Sequence, residues 1–456
     1  MAIGSETIFN VDGISVVIGE AISKDVGLVP VAREIRRSAC FKQLVDELLA
    51  NFASRGKRAY GFGSRPKLEA ALAALISGLV LGRRTVNAIA QCFLLDPLWA
   101  AVIGRSFNQR DLSRLMEVLG ETGGILALRR ALLMSAAQGQ DFLELDMDSS
   151  LLKLHGEQEG GAYNGHYHAF GFHTGWALDI RTGRLVAIWH NEGNVFTSTG
   201  QAETLTWILD QGVRVDLARF DAGLINPAML DAIAGRVPRF ACRIKPNAAL
   251  GRLADPLEPE VPLIPGARSY GEFRYAAESW TTDHRVVVKF EAIEGEKGAR
   301  ALFTNRFYFV SNLPDEPSKV VSTYLQRGAA ERVFGEFVNT FEPNFRHEEL
   351  VKNEAWAQLL ALAHNVLVDL REQLPMDEIP VKARTEHRPK FLPKPWVQRF
   401  HHAVEGVTAK VRPLLSRVRD LALRVTGDLK RVGDQLRLYA RPDILAPTWF
   451  PALMRE

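Results

Sequence analysis

Several features that mark whole classes of protein are scarce or missing in this chain. It has three cysteines in 456 residues. Cys40, Cys92 and Cys242 lie far apart and form no CxxC, which argues against a disulfide scaffold or a zinc finger and makes them buried thiols by expectation. No window approaches the roughly 18 uncharged apolar residues of a spanning helix. The start, MAIGSETIFNVDG, lacks the basic-then-apolar pattern of a secretory signal. The expected location is therefore the cytoplasm, with no membrane partner. A nucleotide-binding loop is also missing: Gly61-Phe-Gly63 follows no strand-like run and lacks a third glycine. Net charge is only +3, and the 47% apolar and 24% charged content is that of a globular protein large enough for a substantial core.

The charge that is present is unevenly placed. Between Lys382 and Arg441 there are 15 Lys or Arg against 5 Asp or Glu, a local +10 that leaves about −7 for the rest. A basic segment on a near-neutral protein points to a polyanion, with steep salt dependence. The boundaries read as follows. Residues 1–135 form a mainly helical N-terminal domain, for which DNA binding through a helix-turn-helix-like unit and plain packing are equally suited. Residues 140–246 open an α/β core, 247–319 form a β-rich insertion, 320–375 return to the core, and 376–456 form a basic C-terminal helical region.

Within 140–246 the order of elements is informative. Phe142–Asp148, Tyr167–Trp176 and Arg184–Trp189 read as strands, Gln201–Leu209 as a helix, Val213–Phe220 as a strand, Asn226–Ile233 as a helix and Arg239–Lys245 as a strand. Three strands, helix, strand, helix, strand is the order of a ribonuclease H-like core, an antiparallel meander followed by helical crossovers. In that topology the first and fourth strands are neighbours, which places Asp148 beside Asp221 where open α/β sheets carry their sites. Four further strand-like runs, Phe273–Ala276, Arg285–Phe290, Ala301–Thr304 and Phe307–Val310, make up the insertion. After it, Tyr324, Arg327 and Glu331 recur at spacings of three and four, so one helix face carries a hydroxyl, a guanidinium and a carboxylate.

Three carboxylates suit hard cations: magnesium takes oxygen ligands, and two ions about 4 Å apart can serve both the attacking and the leaving oxygen of a phosphodiester. Asp148, Asp221 and Glu331 are the candidate catalytic and metal-binding residues. Arg327 can hold a phosphate bidentately, and Tyr324 can donate to another. Asp146, two residues before Asp148 and facing the same way, is an alternative first ligand or a supporting group. Glu157 and Glu159 read as solvated loop carboxylates or as approaches to the metals. His166 and His168, alternating along a strand, lack the partners of a zinc site.

These residues resemble the bacterial insertion-sequence transposases of the DDE class, in the IS-four-like branch whose catalytic core is split by a β-strand insertion. The matching pieces are Leu145-Asp-Met-Asp148-Ser-Ser, His155-Gly-Glu-Gln-Glu-Gly160, Ala218-Arg-Phe-Asp221-Ala-Gly, Arg243-Ile-Lys245, and Tyr324, Arg327 and Glu331 in the Tyr-two-Arg-three-Glu signature, over roughly residues 60 to 375. The signature often continues with a lysine, where this chain has Gly335 and Val338, so that DNA contact is either missing or supplied by Arg332. The resemblance implies cleavage at transposon ends dependent on two Mg²⁺ ions, with Mn²⁺ able to substitute, then attack of the freed 3′-hydroxyl on target DNA. It implies double-stranded DNA as partner (terminal inverted repeats and target), a homodimer as working complex, and association with the bacterial nucleoid. Lys245 and Trp280 are further candidates for DNA contact, Lys245 either reaching a phosphate or capping an exposed strand end, and Trp280 either stacking on a flipped base while a terminal hairpin is processed or packing the insertion on the core. A nuclease or resolvase without strand transfer, and a non-catalytic DNA-binding regulator, are the alternatives.

Overall fold

A computed structural model describes residues 7–11, 14–18, 25, 27–54, 61–259, 267–292, 304–343, 345–372, 427–432 and 435–440. The chain forms two compact units, Met1–Gly124 with Gly335–Asn344 and Leu362–Glu456, and Ile125–Phe334 with Phe345–Ala361.

The first unit opens with an antiparallel pair, β1 (Thr7–Val11) and β2 (Ile14–Ile18), followed by α1 (Leu28–Arg37), α2 (Ala39–Ser54), α3 (Arg65–Val80), α4 (Val86–Leu95), α5 (Pro97–Ile103) and α6 (Gln109–Leu119). The helix starts are set locally. Thr85 accepts from the Ala88 amide, Asp96 from the Leu98 amide, and Asn108 with Asp111 makes a reciprocal cap. α7 (Thr122–Ala137) leads to the second unit. No single helix among the described residues is long and apolar enough to cross a membrane; α4 and α5 meet the length and composition only as a pair bent by 105°.

The second unit holds a nine-stranded mixed sheet. In chain order it contains β3 (Leu143–Lys153), β4 (Ala162–Asn164), β5 (Ala169–Asp179), β6 (Arg184–Asn191), α8 (Gln201–Asp210), β7 (Val215–Phe220), α9 (Pro227–Ile233), β8 (Arg239–Ile244), α10 (Ala248–Ala254), β9 (Arg268–Tyr275), β10 (His284–Ala292), β11 (Thr304–Ser311) and α11 (Pro317–Leu325). α12 (Gly328–Phe341), α13 (Leu350–Glu372), β12 (Gly427–Val432) and β13 (Gln435–Ala440) complete the chain. β3 pairs antiparallel with β5 and β5 with β6, whereas β3 to β7 and β7 to β8 are parallel. The spatial order β6-β5-β3-β7-β8 is the ribonuclease H-like arrangement. β11 joins β8 antiparallel, so β9–β11 of the insertion continue the same sheet.

Strand alternation divides the chemistry between the two faces. Leu143, Leu145 and Met147 belong to one apolar cluster with Leu205, Ile208, Met229 and Leu230, contributed by α8 and α9. Burial of each such side chain stabilises the fold by about 1.5–3 kcal/mol. On β7, Leu217 belongs to the opposite cluster, with Phe309 and with Val320, Val321 and Tyr324 of α11. That second face carries the aspartates.

The structure differs from the sequence reading in several places. β3 runs five residues past Asp148, because β5 pairs with it as far as Lys153. The Gly-, His- and Glu-rich stretch after it contains β4, which makes a hairpin with β5. His166 and His168 lie in the turn of that hairpin and not on a strand, and His168 has a positive φ of 49°. β11 is one strand over what reads as two runs, with residues 301–303 outside the described residues. In the basic C-terminal region, read as helical, the described parts are β12 and β13; β13 pairs with β2, and residues 373–426 lie outside the described residues.

Candidate active site

Met147 and Phe220 are the last register partners of the parallel β3–β7 pair. The next residues along the chain are Asp148, still on β3, and Asp221, just past the end of β7, so the pair expected to be neighbours stands side by side. Each carboxylate is held from α11 or the turn after it. The Tyr324 hydroxyl donates to Asp221 Oδ1 at 3.3 Å, and Arg327 Nη2 donates to Asp148 Oδ2. Arg327 Nη1 donates to Glu331 Oε1 at 2.9 Å. Asp148 also accepts from the Ser149 amide at 2.7 Å.

The helix expected to carry all three residues of the signature is broken. It ends at Leu325 and restarts at Gly328, with Gln326 and Arg327 in a turn. Amides three residues on close this turn: Arg327 to Tyr324 O, Ala329 to Gln326 O and Ala330 to Arg327 O, each 2.9 Å. The break leaves the Arg327–Glu331 contact intact. Downstream, Phe334 of α12 stacks on Trp176 of β5 at 4.5 Å and 10°. Trp176 is the register partner of Asp148, so this stack fixes α12 beside the same point of the sheet.

The electrostatics follow from burial. Burial pushes the Asp148 carboxyl above its ordinary range, opposed by Arg327 and reinforced by the negative charge of Asp221. Burial alone would lower the Arg327 guanidinium, but Asp148, Tyr324, Asp221 and Glu331 together hold it above its usual value. Burial also raises Tyr324. One atom has no protein partner: Arg327 Nε is buried and unbonded. An acceptor such as a phosphate oxygen would satisfy it.

Asp146 has a different role from Asp148. It is fully buried and gripped by Arg219, with Nε to Oδ1 at 2.5 Å and Nη2 to Oδ2 at 3.1 Å. Arg219 Nη1 also donates to Thr323 O at 3.0 Å and Gln326 Oε1 at 3.4 Å. The pair thus ties β3 and β7 to the turn that carries Arg327. Glu159 accepts the Leu350 amide at 2.9 Å and caps α13. His173 bonds Ser149 Oγ at 2.9 Å, and His190 bonds Thr174.

The remaining sequence-predicted residues do not join this network. Lys245 is exposed just beyond β8 and Arg332 is exposed on α12; neither has an ion pair among the described residues. Trp280 packs against the main core cluster, edge-on to Tyr275 at 5.5 Å and to His284 at 5.4 Å. Among the described residues no three His, Cys, Asp or Glu side chains converge closely enough to hold a metal ion, because Arg327 lies between Asp148 and Glu331. The donor chemistry nevertheless fits a hard cation: Asp148 and Asp221 offer oxygen alone, on adjacent strands, and their like charges raise each other's need for a positive partner.

A sequence model of the family described as Transposase DDE domain group 1 matches residues 14–387. The chain belongs to this DDE transposase family. Members of the family generally use divalent metal ions. Among curated proteins none matches. Of solved structures, the piggyBac transposase in a synaptic complex with hairpin DNA is similar at 9% identity and a TM-score of 0.45, over 87% of this chain and 80% of that one. Sequence reading of this DDE transposase missed Arg219, whose signal was an arginine two residues before Asp221 at a position of the strand that must be buried.

Proposed function

We propose that this DDE transposase is the mobility enzyme of a bacterial insertion sequence of the IS-four-like branch, cutting DNA at terminal inverted repeats and joining the freed 3′-hydroxyl to target DNA. The observation that carries the reading is Arg327, which pairs with Asp148 and Glu331 while keeping a buried Nε without a partner. Asp148 and Asp221 would hold Mg²⁺, or Mn²⁺ in its place, with Glu331 completing the set for two ions. When bound, the metal supplies charge neutralisation and an activated oxygen nucleophile. Arg327 turns its fork from the carboxylates to a phosphate of the DNA. Tyr324 positions Asp221 through its hydroxyl, and Arg219 with Asp146 fixes the turn from which Arg327 reaches. Lys245, Arg332 and Trp280 contact the DNA along its path, Trp280 through the part of its ring left open by Tyr275 and His284. The 1–135 region and the basic 376–456 region add backbone contacts, the working complex is a homodimer, and the enzyme acts in the cytoplasm on the nucleoid.

The test is an oligonucleotide assay with the ends of the element and a supercoiled target. Nicking at the end with Mg²⁺, followed by products joined through a 3′-hydroxyl, supports the proposal. Nicking without joined products makes the protein a nuclease or resolvase, and binding without nicking makes it a regulator.

A further inference from the structure

Buried polar side chains tie the main chain at Asp148 to the loop that follows β6. Gln201, the first residue of α8, is wholly buried. Its Nε2 donates to the Asp148 carbonyl at 3.1 Å and to the Thr197 carbonyl at 3.4 Å. His173 of β5, also buried, makes a parallel link: it bonds Ser149 Oγ through Nε2 at 2.9 Å and the Val195 carbonyl through Nδ1 at 2.9 Å. Ser149 in turn donates its amide to Asp148 Oδ1 at 2.7 Å. Beyond Met147, β3 pairs among the described residues with β5 and no longer with β7. At that point these side chains add a second anchor to the strand.

The residue before Gln201 sets its place. Gly200 has a φ of +76°, and an added Cβ would lie 2.8 Å from Trp189 Nε1, so α8 can start here only from a glycine. Thr197, whose carbonyl Gln201 holds, lies against the chain leaving Asp221: a Cβ added to Gly223 would meet Thr197 Cγ2 at 3.4 Å. One amide thus links the Asp148 main chain to the loop that rests on the segment after Asp221. Packing does not account for an amide at this position. Gln201 Oε1 is buried and has no hydrogen-bond partner among the described residues, a deficit that an apolar side chain of the same length would not carry. The two carbonyls do account for it, since an NH₂ group can donate to both.

We propose that Gln201 is a positioning residue of the active site, fixing the Asp148 carboxylate relative to Asp221 through the Asp148 carbonyl and the Thr197 loop. The inference rests on the transposase reading above and adds to it a residue outside the Asp, Asp and Glu set. The experiment compares wild type with Gln201→Met, which keeps the length and removes the donor, and with Gln201→Asn, which keeps the amide on a shorter stem. Three quantities are measured on the full-length protein: Mn²⁺ uptake, from loss of the free-ion EPR signal, with and without a duplex of the element's end; the Kd of that duplex without metal; and the nicking rate at saturating duplex and Mn²⁺. Gln201→Met is expected to weaken Mn²⁺ uptake and to slow nicking by about tenfold each, with the duplex Kd unchanged, and Gln201→Asn to fall between it and wild type. Where Gln201→Met does not fold, Gln201→Asn carries the same comparison. Wild-type Mn²⁺ uptake and nicking in the variant overturn the inference and leave the transposase reading standing. Loss of duplex affinity in step with Mn²⁺ uptake, or unfolding of both variants, also overturns it, because the side chain then serves only the fold. If wild type takes up Mn²⁺ and nicks nothing, the transposase reading fails, and the Mn²⁺ comparison still decides whether Gln201 positions Asp148. If wild type takes up no Mn²⁺, the carboxylate site fails and this inference with it.

Discussion

Arg327 and Asp148, 179 positions apart in sequence, meet as a part-buried ion pair at the point where β3 and β7 part. In the proposed mechanism the arginine supplies at that carboxylate the positive charge that a bound divalent cation would supply. Arg327→Ala is expected to abolish end nicking and to destabilise the fold by roughly 1–3 kcal/mol, because the half-buried Asp148 loses its charged partner. Arg327→Lys keeps the charge but not the fork, so it should recover part of the stability and little of the nicking. Urea titration with a nicking assay separates the two effects, and full nicking by Arg327→Ala would remove this residue from the mechanism.

Glu331 is the contrasting case. Its side chain is 55% exposed, so its contact with Arg327 contributes no more than a surface pair, about 0–1 kcal/mol. Glu331→Ala should therefore fold as wild type, bind DNA ends normally and fail in metal-dependent cleavage. Cleavage at the wild-type rate would eliminate the third carboxylate and most of the proposed chemistry.

For Asp146 and Arg219, both fully buried, the expectation is structural. Arg219→Met should cost about 3–5 kcal/mol by stranding Asp146, whereas Asp146→Leu with Arg219→Met should recover much of it, since a buried pair is often replaceable by apolar groups. The double variant should still nick slowly, because the turn carrying Arg327 has lost the bonds that Arg219 donates to Thr323 O and Gln326 Oε1. A double variant as unstable as the single one would show that packing, and not the stranded charge, sets the cost.

Much of this site was legible in the chain because strand periodicity and element order are local signals. Asp148 and Asp221 could be set side by side from the order of strands and helices alone, and Tyr324, Arg327 and Glu331 from spacing. Spacing did not reveal the break at Gln326–Arg327, since the i,i+4 contact survives it. Nor could it distinguish Asp146 from Asp148: both face the same way, and only the long-range partner, Arg219 for one and Arg327 for the other, separates a sealed pair from a site with an open donor.

His190 provides a pH test of the core beside the site. Its ring stacks on Phe172 at 4.7 Å, meets Phe345 edge-on at 4.5 Å and bonds Thr174 Oγ1 through Nδ1. Burial lowers its pKa from 6.5 to about 4, against the pull of Glu354 and of a hydrogen bond to the Asn353 backbone. Between those values the unfolded chain binds the proton and the folded chain does not. The stability this group contributes is thus fully present above pH 6.5 and is lost as pH falls towards 4, on the order of 3 kcal/mol at 1.36 kcal/mol per unit. His190→Gln, which can still bond Thr174, should lower stability at neutral pH and flatten this acid loss, so the two proteins converge as pH falls. Parallel urea-midpoint profiles across the window would mean that His190 is already protonated in the fold, and that the Phe172–Phe345 pocket admits the charge.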